Sequence, residues 1–239
     1  MENETPIARR QFIRSTSLLV SAVCVGASPL LVFAEDKKNA VKIGVEEVSP
    51  AEDLMREHGG LNRILLVFEE AIRRIHAKEE FDPSQLKRSA QLIRDFIENY
   101  HEKLEEEFLF PSLKRAGRLV DTVDTLLIQH QAGRKLTDTI LGLSTSAHFK
   151  NTSDREKLSS DLAKFTRMYR PHEAREDTVV FPEFKKLLTP KEYDKLGDQF
   201  EDKEHELFGK EGFEGVLVKI AEIEKAFGIA DLSKFTPKD

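Results

Sequence analysis

From Ser49 onward, apolar residues recur at alternating spacings of four and three, the rhythm of helices packed lengthwise in a bundle. Leu54, His58, Leu61, Leu65, Phe68, Ile72 and Ile75 make the first stripe. Ser49, Pro50 and Glu52 open it as N-cap, first-turn proline and capping-box acid. Asp82, Pro83 and Gln85 repeat that start, and Leu86, Ala90, Ile93, Ile97, Leu104 and Phe108 follow as a second stripe that Pro111 is expected to end. A third helix, Leu119 to Leu143, sets Val123, Leu126, Leu127, Thr137 and Leu141 on one face with His130, and Gly133 leaves room for a neighbouring backbone. The fourth, expected to be capped by Ser153 and Glu156, carries Leu158, Leu162, Phe165, Tyr169, His172, Glu176 and Val179. Pro171 removes a donor there and should kink the helix just before His172, at a cost of about 3 kcal/mol. Thr189, Pro190 and Glu192 open a fifth helix, and Phe213 to Phe227 reads as a sixth or its continuation, both outside the bundle. The pattern predicts an all-α fold: an up-down four-helix bundle over 49–188, with one or two further helices in an extension over 189–239.

The bundle is internally duplicated. HEKLEEEFLFP, from His101 to Pro111, returns 71 residues later as HEAREDTVVFP, from His172 to Pro182. Each copy has His and, four residues on, Glu (His101 and Glu105, His172 and Glu176), which share a helix face. Each is preceded by a solitary His, His58 or His130.

Composition narrows the class. With 33% charged and 39% hydrophobic residues the chain reads as soluble and helical, and its net charge of −6 carries no basic patch suited to nucleic acid. Residues 1–34 stand apart: Arg9 and Arg10, then an apolar run from Leu18 to Ala34 without an acid. This resembles a twin-arginine export signal, cleaved near Ala34 and read by the twin-arginine machinery, and it predicts a periplasmic or extracytoplasmic protein with no stable membrane insertion. Gly26 and Pro29 argue against a spanning helix; an uncleaved anchor is the alternative. Cys24 is the only cysteine, and Val23 before it is too large for a lipoprotein signal, so disulfides and thiolate sites drop out after cleavage. Residues 35–48 read as a polar tether.

Four inward His and two inward Glu pose an electrostatic problem. Buried carboxylates without a positive partner cost several kcal/mol each, and a cation removes that cost. His58, His101, Glu105, His130, His172 and Glu176 are therefore the candidate metal ligands. Imidazole and carboxylate without thiolate suit iron, manganese or zinc, and two Glu from facing helices can bridge two ions about 3.5–4 Å apart. His76 and His148 lie five turns, about 27 Å, beyond a candidate ligand and go to the far end or to solvent. His205 could supply an extra ligand. Glu102 and Glu173 point some 100° away from the site and are expected to be exposed. A zincin would need H-E-x-x-H, and a ferritin-like site needs Glu-x-x-His twice where only Glu98 to His101 fits.

The His58, His101-x3-Glu105, His130, His172-x3-Glu176 series, with Phe110-Pro111 and Phe181-Pro182, resembles the hemerythrin-like HHE cation-binding family over residues 49–188. The resemblance implies a four-helix bundle with a non-haem di-iron centre, two iron ions bridged by the Glu with His as terminal ligands. Oxygen carriers of that family have a further His four residues after the third-helix His, where this chain has Arg134, and an Asp spaced five after the fourth-helix His, where it has Glu176. Those departures argue against reversible oxygen carriage and toward an exported protein that binds O2, NO or peroxide, or holds iron for sensing, detoxification or delivery. An oxidoreductase consuming peroxide or nitric oxide, or an oxygen carrier, is the alternative, as is a metal with a purely structural part. Arg134 either favours anionic ligands by its charge or pairs with a neighbouring Glu.

Overall fold

The computed structural model describes residues 48–237, so the expected export signal and nearly all of the expected tether lie outside the described residues. Everything from Ser49 onward gathers into one unit. Helix α1 (Pro50–Ala77) starts where the Ser49 side chain accepts the Glu52 N–H and stops at Lys78, in left-handed conformation. A second rod, α2, starts at an Asp82 cap as Pro83–Leu92 and continues through a π-helical stretch, Ile93–His101. It then passes Glu102–Leu104, a second π-turn, Glu105–Leu109, and ends as Phe110–Arg115. Next come α3 (Val120–Leu143), the single turn α4 (Ser146–Phe149) and α5 (Thr152–Arg175), which runs on through a π-turn, Glu176–Val180, to Phe181–Lys185. The extension forms α6 (Pro190–Phe208) and α7 (Gly212–Ala226), with a complete capping box at Thr189 and Glu192.

α1, α2, α3 and α5 each pack against their two sequence neighbours and close the ring through α1 and α5, the up-down arrangement that short connections favour. The core is one cluster threading all four, from Leu54, Phe68 and Leu104 to Phe165 and Phe181. α6 and α7 lie outside this ring, α6 on α1 and α7 on α1 and α2. Gly60 makes the α7 contact possible: a Cβ there would stand 2.9 Å from the Phe213 ring. Among the described residues no helix is long and apolar enough to cross a membrane.

Four local expectations need correction. α5 is capped by Asn151, whose Oδ1 accepts the Ser153 and Asp154 N–H groups, and not by Ser153. The helix also continues through Pro171, and its departure from α geometry comes later, at Glu176–Val180. Pro111 does not end the second rod, because at the start of Phe110–Arg115 the preceding π-turn already bends the hydrogen-bond ladder around its missing N–H. Gly133 admits a side chain where a backbone was expected: its missing Cβ is the space taken by the Tyr169 hydroxyl, which would lie 2.0 Å away.

Candidate metal centre

The duplicated segments meet across the bundle. His58 comes from α1, His101 and Glu105 from α2, His130 from α3, and His172 and Glu176 from α5, and none of the six is more than 4% exposed. Their ligand atoms fall into two groups, His58 with His101 and Glu105, and His130 with His172 and Glu176. Each Glu also faces the opposite group. Glu105 sets Oε1 3.7 Å from His101 Nε2 and Oε2 3.4 Å from His130 Nε2, and Glu176 Oε2 lies 3.5 Å from His58 Nε2 and 3.1 Å from His172 Nε2.

All four rings are held the same way. Nδ1 of His58 lies 2.7 Å from Asp177, that of His101 2.7 Å from Glu57, that of His130 3.1 Å from Glu106, and that of His172 2.9 Å from the Gln129 side-chain oxygen. Each acceptor takes the Nδ1 proton and leaves the Nε2 lone pair aimed inward, the orientation a metal-ligating imidazole needs. The duplication extends to these partners. The residue before each solitary His (Glu57, Gln129) holds the paired His of its own half, and the residue after each inward Glu (Glu106, Asp177) holds the solitary His of the other half. Phe181 stacks on His58 at 5.6 Å and Phe110 on His130 at 5.5 Å, which explains why the Phe-Pro ends recur.

Without a cation this arrangement is unsatisfied. Both oxygens of Glu105 and both of Glu176 are buried and accept no hydrogen bond, and His130 Nε2 has no hydrogen-bond partner either. The Nε2 atoms of His58 and His101 stand 3.0 Å apart, lone pair toward lone pair unless one carries a proton. Burial opposes charge on His58, but Asp177 and the carboxylates of Glu176, Glu173 and Glu105 outweigh it and raise the ring to about 9. Burial dominates at His101, which falls to about 3. The other pair splits alike: burial is overcome at His130 by Glu102, Glu105 and Glu106, giving about 10, whereas burial and the charge of His130 lower His172 to about 3. Burial and the neighbouring Glu105 charge push Glu176 up.

Glu102 and Glu173 are buried, contrary to expectation, at 1% and 2% exposure. A direction 100° from the site points at the next helix of a four-helix ring, not at water. Glu102 accepts from the Tyr169 hydroxyl at 2.7 Å and pairs with Arg134 at 2.7 Å, and Glu173 accepts from Asn62, the residue that matches Arg134 in the other half. Arg134 also pairs with Glu106 at 2.7 Å, so its guanidinium serves these carboxylates. His205 is in neither three-residue group, His76 bonds Ser159 and His148 pairs with Asp154. An Asp does stand five residues after His172: it is Asp177, present in addition to Glu176 and bound to His58.

The hemerythrin HHE cation binding domain matches residues 49–184. The chain belongs to that family. Uncharacterized proteins of Mycobacterium tuberculosis and Mycobacterium bovis are each 50% identical to it over 190 residues, 80% of this chain and 74% of theirs. No solved structure matches. Membership in a hemerythrin family fits the geometry, because the unsatisfied carboxylates and inward Nε2 atoms form a donor set for metal cations. Sequence reasoning missed the partners that orient the rings. Their signal was the same duplication, which puts Glu57 in register with Gln129 and Glu106 with Asp177.

Proposed function

We propose that this hemerythrin-family protein holds two iron ions through His58, His101, Glu105, His130, His172 and Glu176, and that the centre captures a small ligand such as O2, NO or peroxide. One observation carries the reading: Glu105 and Glu176 are fully buried, accept no hydrogen bond, and each faces an imidazole of both groups. That is how a bridging carboxylate must stand. Iron bound there would supply redox and Lewis-acid chemistry and leave coordination positions for the small ligand, since each ion receives two imidazoles and a share of two carboxylates. The chain's own part is to aim the four Nε2 atoms at the centre through their Nδ1 partners, and to exclude bulk water with Phe110 and Phe181.

Arg134 is occupied by Glu102 and Glu106, so no imidazole closes the third-helix side. This supports a centre that reacts with oxygen and does not store it. We propose export as well, on the strength of Arg9, Arg10 and the apolar run behind them.

The test is metal analysis of protein produced with iron, followed by anaerobic spectra before and after O2, NO and peroxide. Two irons per chain are expected, with Glu105→Ala or Glu176→Ala lowering the content and His205→Ala leaving it intact. Protein without iron, or full iron in all four His variants, would overturn the assignment. Catalytic turnover of peroxide or NO would move the reading to an oxidoreductase at the same site.

A further inference from the structure

The duplicated halves match residue for residue at the metal ligands, yet their surroundings differ in one respect that concerns access. Beside His172 and Gln129, between α3 and α5, lies a cavity of about 470 Å³. Its rim includes Asp121, Thr125, Pro171 and Arg175, all exposed. The buried ring of His172 and the side chain that holds its Nδ1 therefore form the floor of an open recess.

The matching place in the first half is closed. Gln129 corresponds to Glu57, Pro171 to Tyr100, Arg175 to Leu104 and Leu126 to Leu54, and these four first-half residues are at most 2% exposed. The extension covers them. Tyr100 donates to the Phe200 carbonyl at 3.3 Å, the Ala51 N–H donates to the Tyr193 hydroxyl at 3.0 Å, and Phe213 presses on Gly60. Next to Glu57 there remains a void of about 10 Å³ lined by Phe213, Val216 and Ile220 of α7, about the size of one water, and the recess of about 220 Å³ between α2 and α6, on Asn99, Tyr100, Leu104 and Lys203, is lined by none of the six candidate ligands.

We propose that, among the described residues, exogenous ligands reach the centre through the His172 recess alone, and that α6 and α7 seal the equivalent mouth at His101. This rests on the metal reading above and adds to it which of the two metal positions meets the ligand: the one held by His130 and His172. The recess admits small diatomic or triatomic molecules, and its rim carries one cation, Arg175, and one anion, Asp121. The extension thus gives a duplicated, near-symmetric centre one working face.

The experiment uses the full chain loaded with iron and oxidised, with azide as the probe and the iron-to-ligand absorption band as the signal. Thr125→Trp and Thr122→Trp fill the recess from α3 without touching a ligand, and Asn99→Trp adds the same bulk in the recess between α2 and α6 on the first-half side, so it tests that side as an entrance. Iron is measured first on every protein. The expected result is unchanged iron, azide association slowed about tenfold or more in the two recess variants, and the wild-type rate in Asn99→Trp. Equal rates in all four proteins, or equal slowing by Asn99→Trp, overturn the single entrance while leaving the metal assignment standing. Absence of iron from the wild type overturns both and is seen before any rate is taken. If one recess variant loses its iron, the other decides.

Discussion

At the scale of single residues, His58 and His130 stand out because the metal-free fold keeps both charged at neutral pH. Their rings are raised from the ordinary 6.5 to about 9 and about 10, burial being outweighed by carboxylates on every side. A raised imidazole stabilises the metal-free fold fully below pH 6.5, and that contribution is lost as pH rises through 9 to 10. Metal ligation requires the same Nε2 atoms bare, so loading must expel these protons, and metal affinity must weaken as pH falls. Adding ferrous or zinc ion to metal-free protein at pH 7 in weak buffer should release at least about two protons per chain, from His58 and His130, with Glu176 able to add to them, read with a pH indicator. Uptake with no release would mean the metal sits elsewhere. Gly133 supplies a second expectation: in Gly133→Ala the new methyl meets the Tyr169 hydroxyl, which must leave Glu102, so a loss of about 1–3 kcal/mol should appear as a lower unfolding temperature. The six inward residues were legible in the sequence because they replace apolar residues at core phase in a repeated segment. Glu102 and Glu173 were misread because the periodicity of one helix says which way a side chain points and not whether a neighbouring helix waits there.

Among the elements, the π-turns are what the sequence hid. A strict four-three rhythm puts Phe108 and Val179 in the core, but the buried residues are Leu109 and Val180, one position later in each copy. Each π-turn begins at an inward Glu, Glu105 or Glu176, and the extra residue it absorbs lets that Glu and the following Phe, Phe110 or Phe181, both face the centre. No propensity marks this. It follows from the need to place a carboxylate and an aromatic ring on one face, and π-turns gather at functional sites for such reasons. Helix starts were easier to read, since Ser49, Asp82 and Thr189 each cap as expected. Asn151 was overlooked because Ser153 and Glu156 satisfy the capping-box spacing two residues downstream, while Asn151 takes two N–H groups at once. Replacing Asn151 with Ala should therefore cost about 1 kcal/mol, measured by denaturant unfolding, and Ser153→Ala should cost little. The reverse ranking would restore the downstream cap.

For the whole molecule, the bundle ring was readable from four stripes and short connections, but the side covered by α6 and α7 was not, because amphipathic helices outside a ring have several faces on which to settle. Two expectations belong to this scale. If Arg9 and Arg10 direct export, changing both to Lys should leave the precursor in the cytoplasm, detected by fractionation; normal export of that variant would defeat it. The other concerns what holds the ring together. Four buried imidazoles and two buried carboxylates, with unsatisfied oxygens at Glu105 and Glu176, form a polar centre where α1, α2, α3 and α5 meet. Metal binds the folded arrangement and not the unfolded chain, so free metal at about 100 times its dissociation constant should add about 2.7 kcal/mol. For a unit of this size each kcal/mol moves the midpoint about 2–4 °C, which predicts a rise of roughly 5–10 °C on loading and its reversal by chelator. Glu105→Gln should abolish most of that rise while unfolding near the midpoint of the metal-free wild type, because an amide satisfies the core without bridging. A rise that persists in Glu105→Gln would place the stabilising metal outside this centre.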